Sequence, residues 1–219
     1  MILNRRSNAV YLKKRNLITY SNSDSIISDQ FRTIRANIKF LTGDNDNRIF
    51  LITSPGAGEG KSTTIANLAV SMAQQKEKVL LIDANLREPF IHSIFKIPND
   101  VGVTNILEEK VSLEEAIYHT GIGKLDILTS GSTIYNPAEV LGNEVMTQVL
   151  KAVSMTYDTV LIDAPTILES TETRILANQC DGVVLVLKRG KTSLEKADEA
   201  RRVLELSQAN LVGAIINHK

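Results

Sequence analysis

The chain has 219 residues, enough for one domain with a substantial core. Its 25 basic and 25 acidic residues balance, which removes the electrostatic argument for nucleic acid as a partner. A single cysteine, Cys180, excludes an intrachain disulfide and fits a reducing compartment, and no apolar run approaches the roughly 18 residues of a spanning helix.

The N-terminal stretch is basic. Arg5, Arg6, Lys13, Lys14 and Arg15 all precede the first acidic residue, Asp24. Without an apolar stretch beside this charge, it is no secretory signal, and a cytoplasmic protein is expected. Residues 1–24 read as a flexible basic segment, either a solvated tail or an attraction point for an anionic membrane surface or acidic partner. Residues 25–219 read as the folded domain. Asp24–Phe40 is a helix of mixed polarity, and the Asp44-Asn-Asp-Asn47 cluster is a loop.

From there, short apolar runs alternate with helical patterns. Expected strands are Arg48–Ser54, Lys78–Ala84, Lys124–Leu128, Thr159–Ala164, Gly182–Leu187 and Leu211–Ile216. Each is nearly continuous in apolar character, as strands covered on both faces are. Expected helices between them are Gly60–Gln75, Leu113–Tyr118 (capped by Ser112 with Glu115 three residues on), Ala138–Met155 and Ser193–Ser207. The alternation predicts an α/β three-layer sandwich, a mostly parallel central sheet with helices on both faces.

The run Thr53-Ser-Pro-Gly-Ala-Gly-Glu-Gly-Lys-Ser-Thr-Thr64 stands between the first strand and the first long helix. That context marks a phosphate-binding loop of the P-loop NTPase kind. Glycines let backbone N–H groups turn onto an anion, and the helix that follows directs its positive end there. Lys61 is placed to reach the outer phosphates, and Ser62 to ligate Mg²⁺. The strict pattern has glycine where this chain has Pro55, which also lacks an N–H donor.

Two further strands end in aspartate. One runs Leu81-Ile-Asp83-Ala-Asn85-Leu-Arg87, the other Val160-Leu-Ile-Asp163-Ala-Pro165. A lone aspartate at a strand end is ordinarily a cap or turn residue. Two of them beside a glycine loop suit a Mg²⁺–nucleotide site, because open α/β sheets bind ligands beyond the carboxyl ends of their strands.

The glycine loop, the Ile-Asp-Ala-x-x-Arg-x-Pro run (Ile82–Pro89) and the Asp-Ala-Pro run (Asp163–Pro165) resemble the Walker A, A′ and B motifs of bacterial protein-tyrosine kinases, the cytoplasmic kinases of capsular and exopolysaccharide synthesis and export. Leu128-Thr-Ser-Gly131 with Asn136-Pro-Ala-Glu-Val-Leu141 is similar to the family's Gly … Asn-Pro-x-Glu-Leu-Leu signature. Asp29-Gln-Phe-Arg32-Thr-Ile-Arg35 is similar to its E-x-x-R-x-x-R subunit-contact helix. The resemblance covers about Ser28 to Asn217. It implies ATP or ADP with Mg²⁺ held by Gly56, Ala57, Gly58, Glu59, Gly60, Lys61, Ser62 and Thr63, with Asn217 as a candidate adenine contact. It implies Asp83 nearest the transferred phosphoryl, as metal holder or general base, and Asp163 on the Mg²⁺ shell. Lys61, Asp83, Asn85 and Asp163 are then the catalytic candidates, and Ser62, Asp83 and Asp163 the metal candidates. Asp29, Arg32 and Arg35 would join subunits into a ring. The implied partners are a membrane-anchored adaptor, which holds the kinase at the inner face of the membrane, and tyrosine-containing proteins.

The chain departs from that pattern in several places. Asn85 stands where a second Walker A′ aspartate is usual; it keeps an oxygen acceptor and loses the charge. Asp29 replaces the usual glutamate of the helix. The family's C-terminal tyrosine cluster is missing before Lys219, so the acceptors are expected on a removed tail, on another protein, or at Tyr11 and Tyr20. Tyr157 and Cys180 read as packing residues, and His92, His119 and His218 have no metal-ligand spacing. Two rivals follow. A positioning ATPase resembling the partition and septum-site proteins is disfavoured because Thr53–Gly60 contains no lysine. A nucleotide-gated scaffold with weakened catalysis is motivated by Asn85.

Overall fold

The structure is a computed structural model that describes residues 17–42 and 48–218. The basic residues and Tyr11 of the N-terminal stretch, and the Asp44–Asn47 loop, lie outside the described residues. Seven strands form one sheet: β1 (Arg48–Thr53), β2 (Lys78–Asp83), β3 (Tyr118–His119), β4 (Lys124–Leu128), β5 (Thr159–Asp163), β6 (Gly182–Lys188) and β7 (Leu211–Asn217). Their spatial order is β3-β4-β2-β5-β1-β6-β7, and every pairing is parallel except β3 with β4.

The six longer strands match the apolar runs read from the sequence, because each run is buried on both faces. Along β1, Phe50 and Ile52 pack on one side and Ile49 and Leu51 on the other. One face carries α2 (Ile26–Thr42), α3 (Lys61–Ala73) and α4 (Ile91–Phe95). The other carries α8 (Glu144–Ser154), α9 (Thr171–Asn178) and α10 (Leu194–Leu206), with the short α5 (Val103–Leu107) and α7 (Pro137–Leu141). The three-layer α/β architecture is therefore as expected.

The element boundaries differ at three places, each for a local reason. The helix expected over Ala138–Met155 is two. Asn136 takes a left-handed conformation (φ 56°), Pro137 opens α7, and Asn143 caps α8 by accepting from Met146 N–H at 2.9 Å. The helix expected through Tyr118 is α6 (Leu113–Ala116), which does have the Ser112–Glu115 capping box. It stops because Ile117 is extended and Tyr118–His119 leave to pair antiparallel with β4.

The third difference is at the N-terminus. The expected loose segment 1–24 does not describe Leu17 to Ser21, where α1 (Ile18–Ser21) is docked on α3. Leu17 is completely buried. Thr19 N–H donates to Asn67 Oδ1 at 3.1 Å, its hydroxyl bonds the same residue, and Gln74 Nε2 donates to Thr19 O at 3.0 Å. An apolar anchor and a buried polar pair 48 residues apart hold this stretch, and neither shows as local periodicity.

Candidate nucleotide and phosphoryl-transfer site

The parallel sheet brings the carboxyl ends of β1, β2 and β5 side by side. Register places Asp83 directly opposite Asp163, and Asp163 opposite Ile52, the residue before the glycine loop begins at Thr53. The loop ends are tied together by backbone: Ala84 N–H donates to Asp163 O at 2.9 Å, Ala164 N–H to Ile52 O at 3.1 Å and Ile167 N–H to Ser54 O at 3.0 Å. Thr53 adds a hydroxyl bond to Pro165 O at 2.5 Å. The Walker A, A′ and B segments are thus one hydrogen-bonded edge.

Within the glycine loop, Gly58 (φ 69°) and Gly60 (φ 94°) hold left-handed conformations that side chains resist. A Cβ on Gly60 would also overlap the Asn217 side-chain amide. Gly60 leads into α3, where Thr64 N–H donates back to Gly60 O at 2.9 Å. Pro55 is buried, whereas Ala57 and Gly58 form the exposed crown. The substituted proline therefore sits at the foot of the loop, away from its crown. Glu59 is buried beneath it; its Oε1 accepts from Thr192 Oγ1 at 2.6 Å.

The two aspartates are both fully buried and differ in their hydrogen bonds. Asp83 Oδ2 accepts from Phe90 N–H and Ile91 N–H, each at 3.0 Å, and Oδ1 from Asn85 N–H at 3.2 Å. It organises the loop that follows β2 as well as facing Asp163. Neither oxygen of Asp163 has a hydrogen-bond partner. Burial pushes the Asp83 carboxyl up, the Asp163 charge pushes it further, and the three N–H bonds oppose both. Burial also raises Asp163, against the pull of the Ser62 hydroxyl and the Lys61 ammonium. Two carboxylates so placed resist double ionisation unless a cation joins them.

An unpartnered, buried carboxylate beside Ser62 and Lys61 is what a hydrated divalent cation requires. The described residues hold no cluster of three or more His, Cys, Asp or Glu side chains able to enclose a metal. Mg²⁺ keeps several waters and binds through one or two carboxylates plus substrate phosphates, so an open carboxylate near a hydroxyl fits it. Asp163 and Ser62 fit this role directly, and Asp83 fits it with lone pairs left by its N–H bonds.

The remaining candidates fall as follows. Asn85 Nδ2 donates to Glu88 O at 2.8 Å, and its Oδ1 accepts from Glu88 N–H at 3.2 Å. Both ends of the amide clip the Walker A′ loop. Asn217, at the end of β7, donates from Nδ2 to Glu59 O at 3.0 Å, against the loop backbone. On α2, Arg32 pairs with Asp29 and donates to Ser23 O at 2.8 Å, and Arg35 bonds the Ser71 carbonyl and its hydroxyl. Within one chain, then, all three side chains of the expected contact helix face neighbours on α2, α3 or the turn before α2. Tyr157 is buried with its hydroxyl on Asp126 Oδ2 at 2.9 Å, consistent with packing.

Sequence reasoning missed three residues at this edge, Glu172, Lys191 and Thr192, and gave Arg87 no role. Arg87 pairs through Nε with Glu172 Oε1 at 2.7 Å, a glutamate buried on α9. Lys191 and Thr192, in the turn between β6 and α10, both bond the glycine loop. Arg87 was visible in its motif; the others carried no signal, because their partners are remote in sequence.

Comparison with known proteins identifies the family. A family model described as "AAA domain" matches residues 47–212. The chain is 44% identical over 214 residues to "Tyrosine-protein kinase YwqD" of Bacillus subtilis (strain 168), covering 98% of this chain and 90% of that protein. It is 33% identical over 201 residues to "Putative tyrosine-protein kinase CapB" of Staphylococcus aureus, covering 92% and 88%. Among solved structures, the kinase domain of the Escherichia coli tyrosine kinase ETK superposes with a TM-score of 0.89 at 29% identity, covering 92% of this chain and 79% of that one.

Proposed function

The chain belongs to the bacterial tyrosine-protein kinases, and from that premise we propose that the edge formed by Walker A, A′ and B transfers the γ-phosphoryl group of ATP to tyrosine hydroxyls. The observation that carries the assignment is the Asp83–Asp163 register pair beside Lys61 and Ser62, with Asp163 buried and unpartnered.

In this mechanism the backbone N–H groups of Gly56–Thr63 and the Lys61 ammonium hold the phosphates, and the start of α3 faces them with its positive end. Ser62 and Asp163 would hold Mg²⁺, which would supply positive charge against the outer phosphates. Asp83 is held by three N–H donors at the end of β2, opposite Asp163. There its raised proton affinity suits it to accept the proton of the incoming tyrosine hydroxyl. Phosphoryl transfer needs little more than positioning and charge neutralisation, so these few groups suffice.

The wider setting follows from family membership. We place the kinase in the regulation of capsular or exopolysaccharide synthesis and export, at the inner face of the membrane, through a membrane-anchored adaptor. No helix among the described residues is long and apolar enough to cross a membrane. Self-assembly into a ring would use Asp29, Arg32 and Arg35, with Arg32 and Arg35 exchanging their present contacts on Ser23 and Ser71 for an acidic neighbour.

The test is incubation with ATP–Mg²⁺, the adaptor's cytoplasmic segment and a tyrosine-containing protein, read by phosphotyrosine detection. Phosphotyrosine that disappears with Lys61→Ala supports the mechanism. Its absence from the unaltered chain and from Asn85→Asp alike would remove it and leave the nucleotide-gated scaffold.

A further inference from the structure

The turn between β6 and α10 makes a contact that the mechanism above does not use. Lys191 Nζ donates to the Ala57 carbonyl at 2.7 Å. The same ammonium lies 3.0 Å from where a Cβ on Gly58 would stand. It therefore rests on the Ala57–Gly58 crown of the glycine loop, 134 residues away in sequence.

The turn that carries Lys191 is fixed from two sides. Thr192 Oγ1 donates to Glu59 Oε1 at 2.6 Å and accepts from Lys188 N–H at 2.8 Å. Arg189 N–H donates to Asn217 O at 2.9 Å, and Asn217 in turn holds Glu59 O. The backbone is anchored, yet the ammonium itself has one neutral partner. Lys191 forms no ion pair among the described residues.

A neutral carbonyl is a weak partner for an ammonium; a phosphate oxygen in the same place forms a charge-assisted bond roughly twice as strong. The glycine loop supplies a single ammonium of its own, Lys61. Charge on the transferred phosphoryl group is stabilised by every cation aimed at it, whichever chain segment supplies it. We propose that Lys191 is a second phosphate-binding ammonium, delivered in cis by the β6–α10 turn, which leaves the Ala57 carbonyl for the outer phosphates of bound ATP. It approaches the loop at its crown, whereas Lys61 approaches from the loop's end. The proposal rests on the nucleotide site described above.

The alternative is a tether that only holds the turn to the loop. A tether is indifferent to the number of phosphates; an ammonium on the outer phosphates is not. Calorimetric titration of ATP–Mg²⁺ and ADP–Mg²⁺ into the unaltered chain, Lys191→Met, Lys191→Arg and Thr192→Val separates them. Lys191→Met is expected to weaken ATP by about tenfold and ADP by much less, consistent with loss of one hydrogen bond between charged groups. Lys191→Arg should recover most of the difference. Thr192→Val, which loosens the turn that carries Lys191 without removing charge, should weaken ATP relative to ADP in the same direction by a smaller factor. Equal weakening of both nucleotides by Lys191→Met, or no weakening of either, overturns the proposal while leaving the kinase site standing. Failure of the unaltered chain to bind any nucleotide overturns both.

Discussion

Asp83 and Asp163 are register partners across β2 and β5, one holding three backbone donors and the other none. Equivalent strand-end positions thus have different work. Asp163→Asn should raise stability toward denaturant by about 1 kcal/mol, since it removes a buried charge that the Lys61 ammonium and Ser62 hydroxyl only partly offset. It should lower phosphotyrosine formation on the order of a hundredfold, and abolish the extra thermal stability that Mg²⁺ adds to ADP. Asp83→Ala should do the reverse in the unfolding experiment, losing about 2 kcal/mol or more as buried N–H groups of Phe90 and Ile91 lose their acceptor.

Gly60 tolerates no side chain, both for its φ of 94° and because a Cβ would overlap Asn217. Gly60→Ala is expected to cost roughly 1–3 kcal/mol of folding stability. ATP binding should be lost with it, since the loop crown and the first turn of α3 hinge on this residue. A melting curve with and without ATP reads both effects; nucleotide-induced stabilisation equal to that of the unaltered chain would contradict the loop geometry.

Asn85 uses a donor and an acceptor on Glu88. An aspartate there keeps the acceptor and loses the donor, leaving the Glu88 carbonyl without that bond. Asn85→Asp should therefore destabilise the chain by about 1 kcal/mol and change phosphotyrosine yield by no more than a few-fold. A large gain in yield would show instead that position 85 works on the metal.

Leu17 is completely buried at the head of α1. Leu17→Ala is expected to cost about 2–4 kcal/mol, an effect foreign to a loose tail. Urea unfolding monitored by circular dichroism measures it directly.

Cys180 is buried, and burial with the neighbouring Asp181 charge pushes its thiol pKa up. The thiolate is the reactive form. Alkylation by iodoacetamide at neutral pH should thus be far slower in the native chain than in denaturant. Its residual rate should follow the opening of the Leu176–Cys180 segment, whose carbonyl at Leu176 accepts from Sγ at 3.1 Å. Fast native labelling would place the thiol at the surface.

Much of this was legible in the residues alone. The runs from Arg48, Lys78, Thr159 and Gly182 name central strands because continuous apolar character survives only where both faces are covered. The glycine loop declares itself because the left-handed turns it needs are a local property of Gly58 and Gly60. Ser112 and Glu115 marked a helix start correctly for the same reason: the capping box closes within four residues. The splitting of the Ala138–Met155 pattern was legible too, in Gly142 and Asn143, but helical periodicity on either side masked it.

The sequence by itself determined the strands, the loop and the aspartates at the strand ends, because each is specified by neighbours a few residues away. The tertiary structure alone decided which aspartate is satisfied and which is left open. It also brought Lys191 onto Ala57 and Leu17 into the core with α3. Those outcomes depend on register across the sheet and on partners 48 to 134 residues distant. Such contacts exist only once the core has closed and fixed the carboxyl edge of β1, β2, β5 and β6 in one place.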